Sequence, residues 1–197
     1  MLSPHTAHRT PLAALLALAF LATPLHALAA APCSWPVETT GTGASNVAYP
    51  DTDATYWTMA FDSTVSSAMR ISGQFPAARF MSFTAYDDKG GDATALIDAD
   101  IVPDPGSSNP FTAAGAGSSG GSYTVTVVGP DGTPGPNTLV LPTASGWVLL
   151  RVYVPDEGLD REGGVPLPQV TLIGPGDSET TLPVCESRAS AANGGAR

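Results

Sequence analysis

Histidine, lysine and charge are what this chain of 197 residues has least of. It holds 3 His, all within the first 26 residues, and Lys89 is its one lysine. Charged residues make up 13%, about half the usual ~25%. The charge present is mostly acidic, 18 Asp+Glu against 8 Lys+Arg, for a net charge of −10. A nucleic-acid binder needs a basic surface that releases counterions, so that class is excluded. Coiled coils and helix bundles need few helix breakers, whereas this chain has 21 Gly and 19 Pro. Disorder is excluded by the opposite count: 43% of residues are hydrophobic. Short strands joined by many turns remain.

The histidines all fall in a segment with the form of a secretory signal. His5, His8 and Arg9 precede an apolar run from Leu12 to Ala22, Pro24 breaks it, and Ala27-Leu28-Ala29 offers small residues to a signal peptidase. Residues 1–29 are therefore expected to be removed, leaving an extracytoplasmic or secreted protein. The run is too short to span ~30 Å of hydrocarbon as an anchor, and Pro32 before Cys33 disfavours lipidation. The mature chain would carry no histidine, and losing Arg9 takes it to 7 basic against 18 acidic residues, net −11.

That chain cannot build a Ser-His-Asp or Cys-His relay, or a zinc or copper site on imidazole. Schiff-base chemistry would fall to Lys89 in a solvated Asp/Gly turn. Gly115–Gly121 lacks the Lys-Ser/Thr partner of a phosphate loop. Cys33 and Cys185 bracket the domain, and in an oxidising compartment they are expected to pair; free thiols are the alternative.

Alternating apolar residues mark strands near Thr55–Asp62, Ala68–Gly73, Ala78–Tyr86, Thr94–Ile101, Ser122–Val128, Thr138–Leu141, Trp147–Val154 and Gln169–Ile173, with a further piece near Thr181–Cys185. Gly, Pro and Asp clusters separate them. The spacing predicts one all-β domain over 30–187, a jelly-roll-like antiparallel sandwich of about 8–10 strands. Ala113–Ser122 reads as a loop, and 188–197 as a disordered tail.

Two strands place arginine among apolar neighbours. Arg151 shares a face with Trp147, Leu149 and Tyr153, and is expected to stack on Trp147 or Tyr153. Arg79 shares a face with Met81 and Phe83. Asp98 or Asp100, two apart in the neighbouring strand, is the natural counter-ion, giving structural pairs of Arg79 and Arg151 with Asp98 and Asp100.

Several segments carry a family resemblance. Arg79–Asp87 (RFMSFTAYD), Asn137–Pro142 (NTLVLP), Gly146–Pro155 (GWVLLRVYVP) and Gly163–Val170 (GGVPLPQV) resemble, in order and spacing, elements of the bacterial domain of unknown function 1214. The likeness covers about residues 79–170. It implies an exported, jelly-roll-like sandwich and implies no mechanism. The chain departs from it in lacking the accompanying second domain and in its own segment Cys33–Asp62.

Carboxylates and aromatics are the remaining candidates for function. A glycoside hydrolase needs two acids about 5–9 Å apart, whereas the acids here lie mostly in turns, where they serve turn geometry. No cofactor is expected, and these turn acids are expected to be solvated; calcium is the alternative, with Asp87, Asp88 and Asp92 as its best ligand set. Tyr56, Trp57, Trp147, Arg151 and Tyr153, together with Trp35, offer a platform for sugar rings, with one of the adjacent Tyr56 and Trp57 turned to the core. The expectation is a non-enzymatic module that binds a cell-surface glycan or protein. A carboxylate-dependent hydrolase and a structural or partner-binding domain are the alternatives. Neither nucleic acid nor a membrane interior is an expected partner.

Overall fold

A computed structural model describes residues 33–41, 52–117 and 120–186, with the backbone of 189–190. The signal segment 1–29, and the tail apart from 189–190, lie outside the described residues.

The strands are β1 (Val37–Thr40), β2 (Ala54–Asp62), β3 (Ala68–Gln74), β4 (Ala78–Asp87), β5 (Ala93–Ile97), β6 (Ser122–Val128), β7 (Thr138–Val140), β8 (Ser145–Pro155), β9 (Gln169–Ile173), β10 (Glu179–Leu182) and β11 (Ala189–Ser190). They form a β-sandwich: one sheet runs β11-β1-β2-β8-β4-β5, the other β10-β9-β3-β6-β7. The pairing is antiparallel except for β1 with β11 and β6 with β7.

Alternation along the strands builds the core. From the six-stranded sheet, Trp57, Met59 and Phe61 of β2, Met81, Phe83 and Ala85 of β4, and Val148, Leu150 and Val152 of β8 point inward. Met69 and Ile71, Tyr123, Val125 and Val127, and Val170 meet them from the other sheet. Burying each large side chain contributes roughly 1.5–3 kcal/mol. Phe75 and Phe83 flank Tyr123 with ring centroids 5.0 and 5.8 Å away. Burial pushes the Tyr123 phenol above its ordinary range.

Strand β8 is central, paired along its length with β2 and β4. Gly146 near its start is required by packing, because a Cβ there would collide with the Tyr86 carbonyl. The core-facing alternation of β8 fixes which side chains lie on its other face.

The ends of the domain are fastened together. Cys33 and Cys185 form a disulfide with Cα atoms 5.0 Å apart. Ser34 bridges Val184 in parallel, with its N–H donating to the Pro183 carbonyl at 2.8 Å. No helix among the described residues is long and apolar enough to cross a membrane.

Four elements differ from the sequence expectation. The strand expected to reach Ile101 stops at Ile97, and Asp98–Asp100 forms a 3-10 turn. Buried Asp98 causes the change: its carboxylate accepts the N–H groups of Met81 at 3.0 Å and Ala99 at 2.6 Å. A short acid bonding local amides offers the backbone an alternative to the ladder. Strand β10 lies before Pro183 rather than across it, since proline lacks a donor for the ladder. Strands β1 and β11 were unanticipated; β11 falls in the expected tail, where its backbone pairs with Val37 and Glu38.

Candidate functional site

The outward positions of the six-stranded sheet form an aromatic and apolar face. Strand β8 supplies Trp147, Leu149, Arg151 and Tyr153 to it. Register sets the neighbours: Trp147 lies between Ala60 and Tyr86, Leu149 between Thr58 and Thr84, Arg151 between Tyr56 and Ser82. Tyr153 has Phe80 beside it. Strand β5 continues the face with Ala93, Ala95 and Ile97, opposite Tyr86, Thr84 and Ser82.

Trp147 is 44% exposed, far more than a core indole would be. Four residues along β8, roughly 13 Å at ~3.3 Å per residue, the Arg151 guanidinium sits over three rings. Its carbon is 5.0 Å from the Tyr153 ring centroid, 5.5 Å from Tyr56 and 5.6 Å from Phe80. Each such contact is worth ~0.5–1 kcal/mol at an exposed site, more once desolvated. Arg151 Nε is buried without a hydrogen-bond partner.

The face gathers four of the five aromatic-site residues expected from sequence: Tyr56, Trp147, Arg151 and Tyr153. Trp57 is corrected to the core. It is 0% exposed, because the alternation that turns Tyr56 outward turns Trp57 inward, and its Nε1 is buried without a partner. Trp35 is likewise buried, with Nε1 donating to the Pro168 carbonyl at 2.8 Å. Phe80 and Tyr86 complete the face and were missed. Their signal was available, since both have the parity opposite to the apolar Met81, Phe83 and Ala85.

The expected Arg–Asp pairs do not form. Arg151 meets rings instead of a carboxylate, and both Asp98 oxygens are taken by amides. Asp100 is exposed in the 3-10 turn. Arg79 is exposed at the end of β4, where the ladder to β8 skips it and the facing Val154 has φ 50°. The ion pairs between described residues are Arg70 with Glu179, and Arg161 with Glu38 at 2.7 Å.

Of the Asp87, Asp88 and Asp92 set, Asp87 is bound into its own turn. The Asp87 carboxylate accepts the N–H groups of Gly91 at 2.7 Å, Lys89 at 3.0 Å and Asp92 at 3.2 Å. Gly90, at φ 73°, lets the turn wrap around it. With its oxygens engaged by the turn, Asp87 organises backbone rather than a cation. Among the described residues, no three Asp, Glu, His or Cys side chains converge as a metal site.

This turn carries a pH prediction. The amides of Asp92 and Gly91 hold the Asp87 carboxyl below its ordinary range. The Thr64 hydroxyl and N–H do the same for Asp62, and Arg70 for Glu179. A depressed folded-state pKa means stability present at neutral pH and lost as pH falls from about 4 through the lowered values. Carboxyl NMR titration should show all three titrating below the ordinary carboxylate range. Asp87→Asn should reduce the acid dependence of unfolding; an unchanged dependence would count against the turn's role.

Two of the clefts elsewhere hold a single acid each. One of about 260 Å³ is lined by Phe75, Pro76, Phe111 and Asp156. Another, about 410 Å³, includes Asp100 and Asn109. A third, about 530 Å³ between Ser72 and Val184, carries no carboxylate.

No protein-family model and no curated protein matches the chain. Among solved structures it is similar to an uncharacterized protein from Burkholderia cenocepacia, with TM-score 0.47 and 15% identity over 83% of this chain and 38% of that one. It is also similar to the VPA0106 protein from Vibrio parahaemolyticus, with TM-score 0.39 and 20% identity over 61% of this chain and 31% of that one. The chain thus spans well under half the length of either.

Proposed function

We propose that this protein is an exported, non-enzymatic binding module that holds glycan on the outer face of its six-stranded sheet. The observation that carries the reading is the 44% exposed Trp147 on a face with Tyr56, Phe80, Tyr86 and Tyr153. Sugar rings present apolar C–H faces that stack on such side chains, and their hydroxyls suit the Thr58 and Thr84 hydroxyls between the two aromatic clusters. The Cys33–Cys185 disulfide supports an oxidising, extracytoplasmic location. The clefts described above each carry at most one carboxylate, which favours binding over hydrolysis by an acid pair.

The test is a glycan array combined with a hydrolysis screen of the exported protein, with and without EDTA. Retention without product release is expected, insensitive to EDTA. Trp147→Ala should weaken retention about tenfold, equivalent to ~1.4 kcal/mol, while its thermal midpoint stays near wild type. Release of sugar from any polysaccharide would overturn the reading.

A further inference from the structure

The outer face contains a cation, Arg151, that has no counter-ion among the described residues. The chain has 18 acidic residues, yet no outward position of β2, β4, β5 or β8 between the strand ends is Asp or Glu. Arg151 has the hydroxyl of Ser82 and the ring of Tyr56 as its cross-strand neighbours. It makes no ion pair and no hydrogen bond within the described residues, and its Nε has already lost its water. Its Nη groups are not among the buried unpartnered atoms, so their edge faces solvent.

A guanidinium with three rings around it is preorganised. Tyr153, Tyr56 and Phe80 restrict its motion, so an incoming anion meets a donor fork already in place. The two Nη groups match a planar carboxylate end-on, and such charge-assisted pairs are roughly twice as strong as neutral hydrogen bonds. The dimensions and charge limit which anion fits. The face carries a single cation, and the net charge of −10 opposes a densely charged polyanion. A chain of stacking rings with one well-spaced negative charge per unit meets both conditions.

We propose that the glycan bound on this face is acidic, a uronic-acid-containing polysaccharide, with Arg151 receiving a sugar carboxylate while Trp147 stacks on a ring farther along β8. The proposal rests on the glycan reading above and specifies its ligand class.

Affinity electrophoresis tests it with three polymers: polygalacturonate, the same polymer with its carboxyl groups reduced to alcohols, and a sulfated polysaccharide. Wild type should be retarded most by polygalacturonate, and added salt should weaken the effect. Arg151→Met should lose at least tenfold on polygalacturonate, Arg151→Lys should recover part of that, and the loss on the reduced polymer should be several-fold smaller for both. Thermal melts of both variants check the fold; Arg151→Met loses three cation–π contacts but also the burial of an unpaired Nε, so a modest fall in midpoint with a cooperative transition is expected. In parallel, free glucuronate should shift the Arg151 side-chain NMR signals, a readout independent of the polymer. Equal binding of native and reduced polymers, with Arg151→Met neutral and Trp147→Ala weak, would overturn the carboxylate proposal and leave the glycan reading standing. Stronger retardation by the sulfated chain would also overturn it. Retardation by none of the three, with no hit on the glycan array, would overturn both.

Discussion

Replacing both cysteines, Cys33→Ser with Cys185→Ser, is expected to lower stability by about 4–5 kcal/mol. The bridge closes a loop with a sequence separation of 152 residues. In the chain-entropy model, a loop of that length restricts the unfolded ensemble by about that amount. At ~2–4 °C per kcal/mol for a domain of this size, the thermal midpoint should fall by roughly 10–20 °C. Most of the effect should act through the unfolded state. In the folded state the ends remain held by the Ser34–Val184 bridge and by the Cys185 N–H, which donates to the Ser34 carbonyl at 3.0 Å. Urea unfolding therefore should show a lower midpoint together with a steeper denaturant slope, because the uncrosslinked chain exposes more surface. A loss below about 1 kcal/mol would mean that the unfolded chain keeps its ends close without the bridge.

That bridge, a product of two cysteines at the margins of the domain, was legible in the sequence. So were the strands with strict alternation. Ser122–Val128 and Gln169–Ile173 have the expected limits, and β2, β3, β4 and β8 differ by one or two residues at their ends. Period-two patterning is a direct consequence of one face being buried, so it survives in any single sequence. Elements held by other forces were hidden. Strand β1, Val-Glu-Thr-Thr, has no alternation to read and is defined by pairing with β2. The end of β5 depends on whether the Asp98 carboxylate bonds to amides or to an arginine, a choice between partners distant in sequence.

The outer face of the six-stranded sheet divides the same way. Parity alone places Trp147, Leu149, Arg151 and Tyr153 together. What it cannot supply is the neighbour across the sheet. The sequence suggests an acid for Arg151, but the register of β8 against β2 and β4 brings Tyr56 and Ser82 beside it, with Phe80 diagonal. Asp98 is not free to serve, because its two carboxylate oxygens accept the N–H groups of Met81 and Ala99. Among the described residues, the lack of a counter-ion for Arg151 is thus a consequence of register, and it is what favours an acidic ligand over a neutral one in the proposed reading.

Trp35→Ala should cost about 3–5 kcal/mol, the range for removing a buried aromatic side chain. Trp35 is 0% exposed and has φ 56°, a left-handed backbone that costs a non-glycine residue roughly 1–3 kcal/mol. Its surroundings enforce that conformation. The disulfide and the Ser34 bridge hold the chain just before it, and its Nε1–H reaches the Pro168 carbonyl. Two substitutions separate these contributions. Trp35→Phe keeps an aromatic ring in the core but leaves the Pro168 carbonyl without its donor, which should cost about 1–3 kcal/mol on top of the smaller volume. Trp35→Gly removes the same indole as Trp35→Ala while relieving the backbone, so it should be at least as stable as the alanine variant. That reverses the usual order, in which glycine is the less stable of the two. Chemical denaturation of the three variants measures both comparisons, and a glycine variant clearly below alanine would show that the left-handed backbone carries no strain. Combining Trp35→Ala with the double cysteine replacement should destabilise by a sum that departs from additivity by about 0.5–3 kcal/mol, because both changes release the same segment from the same edge of the sandwich.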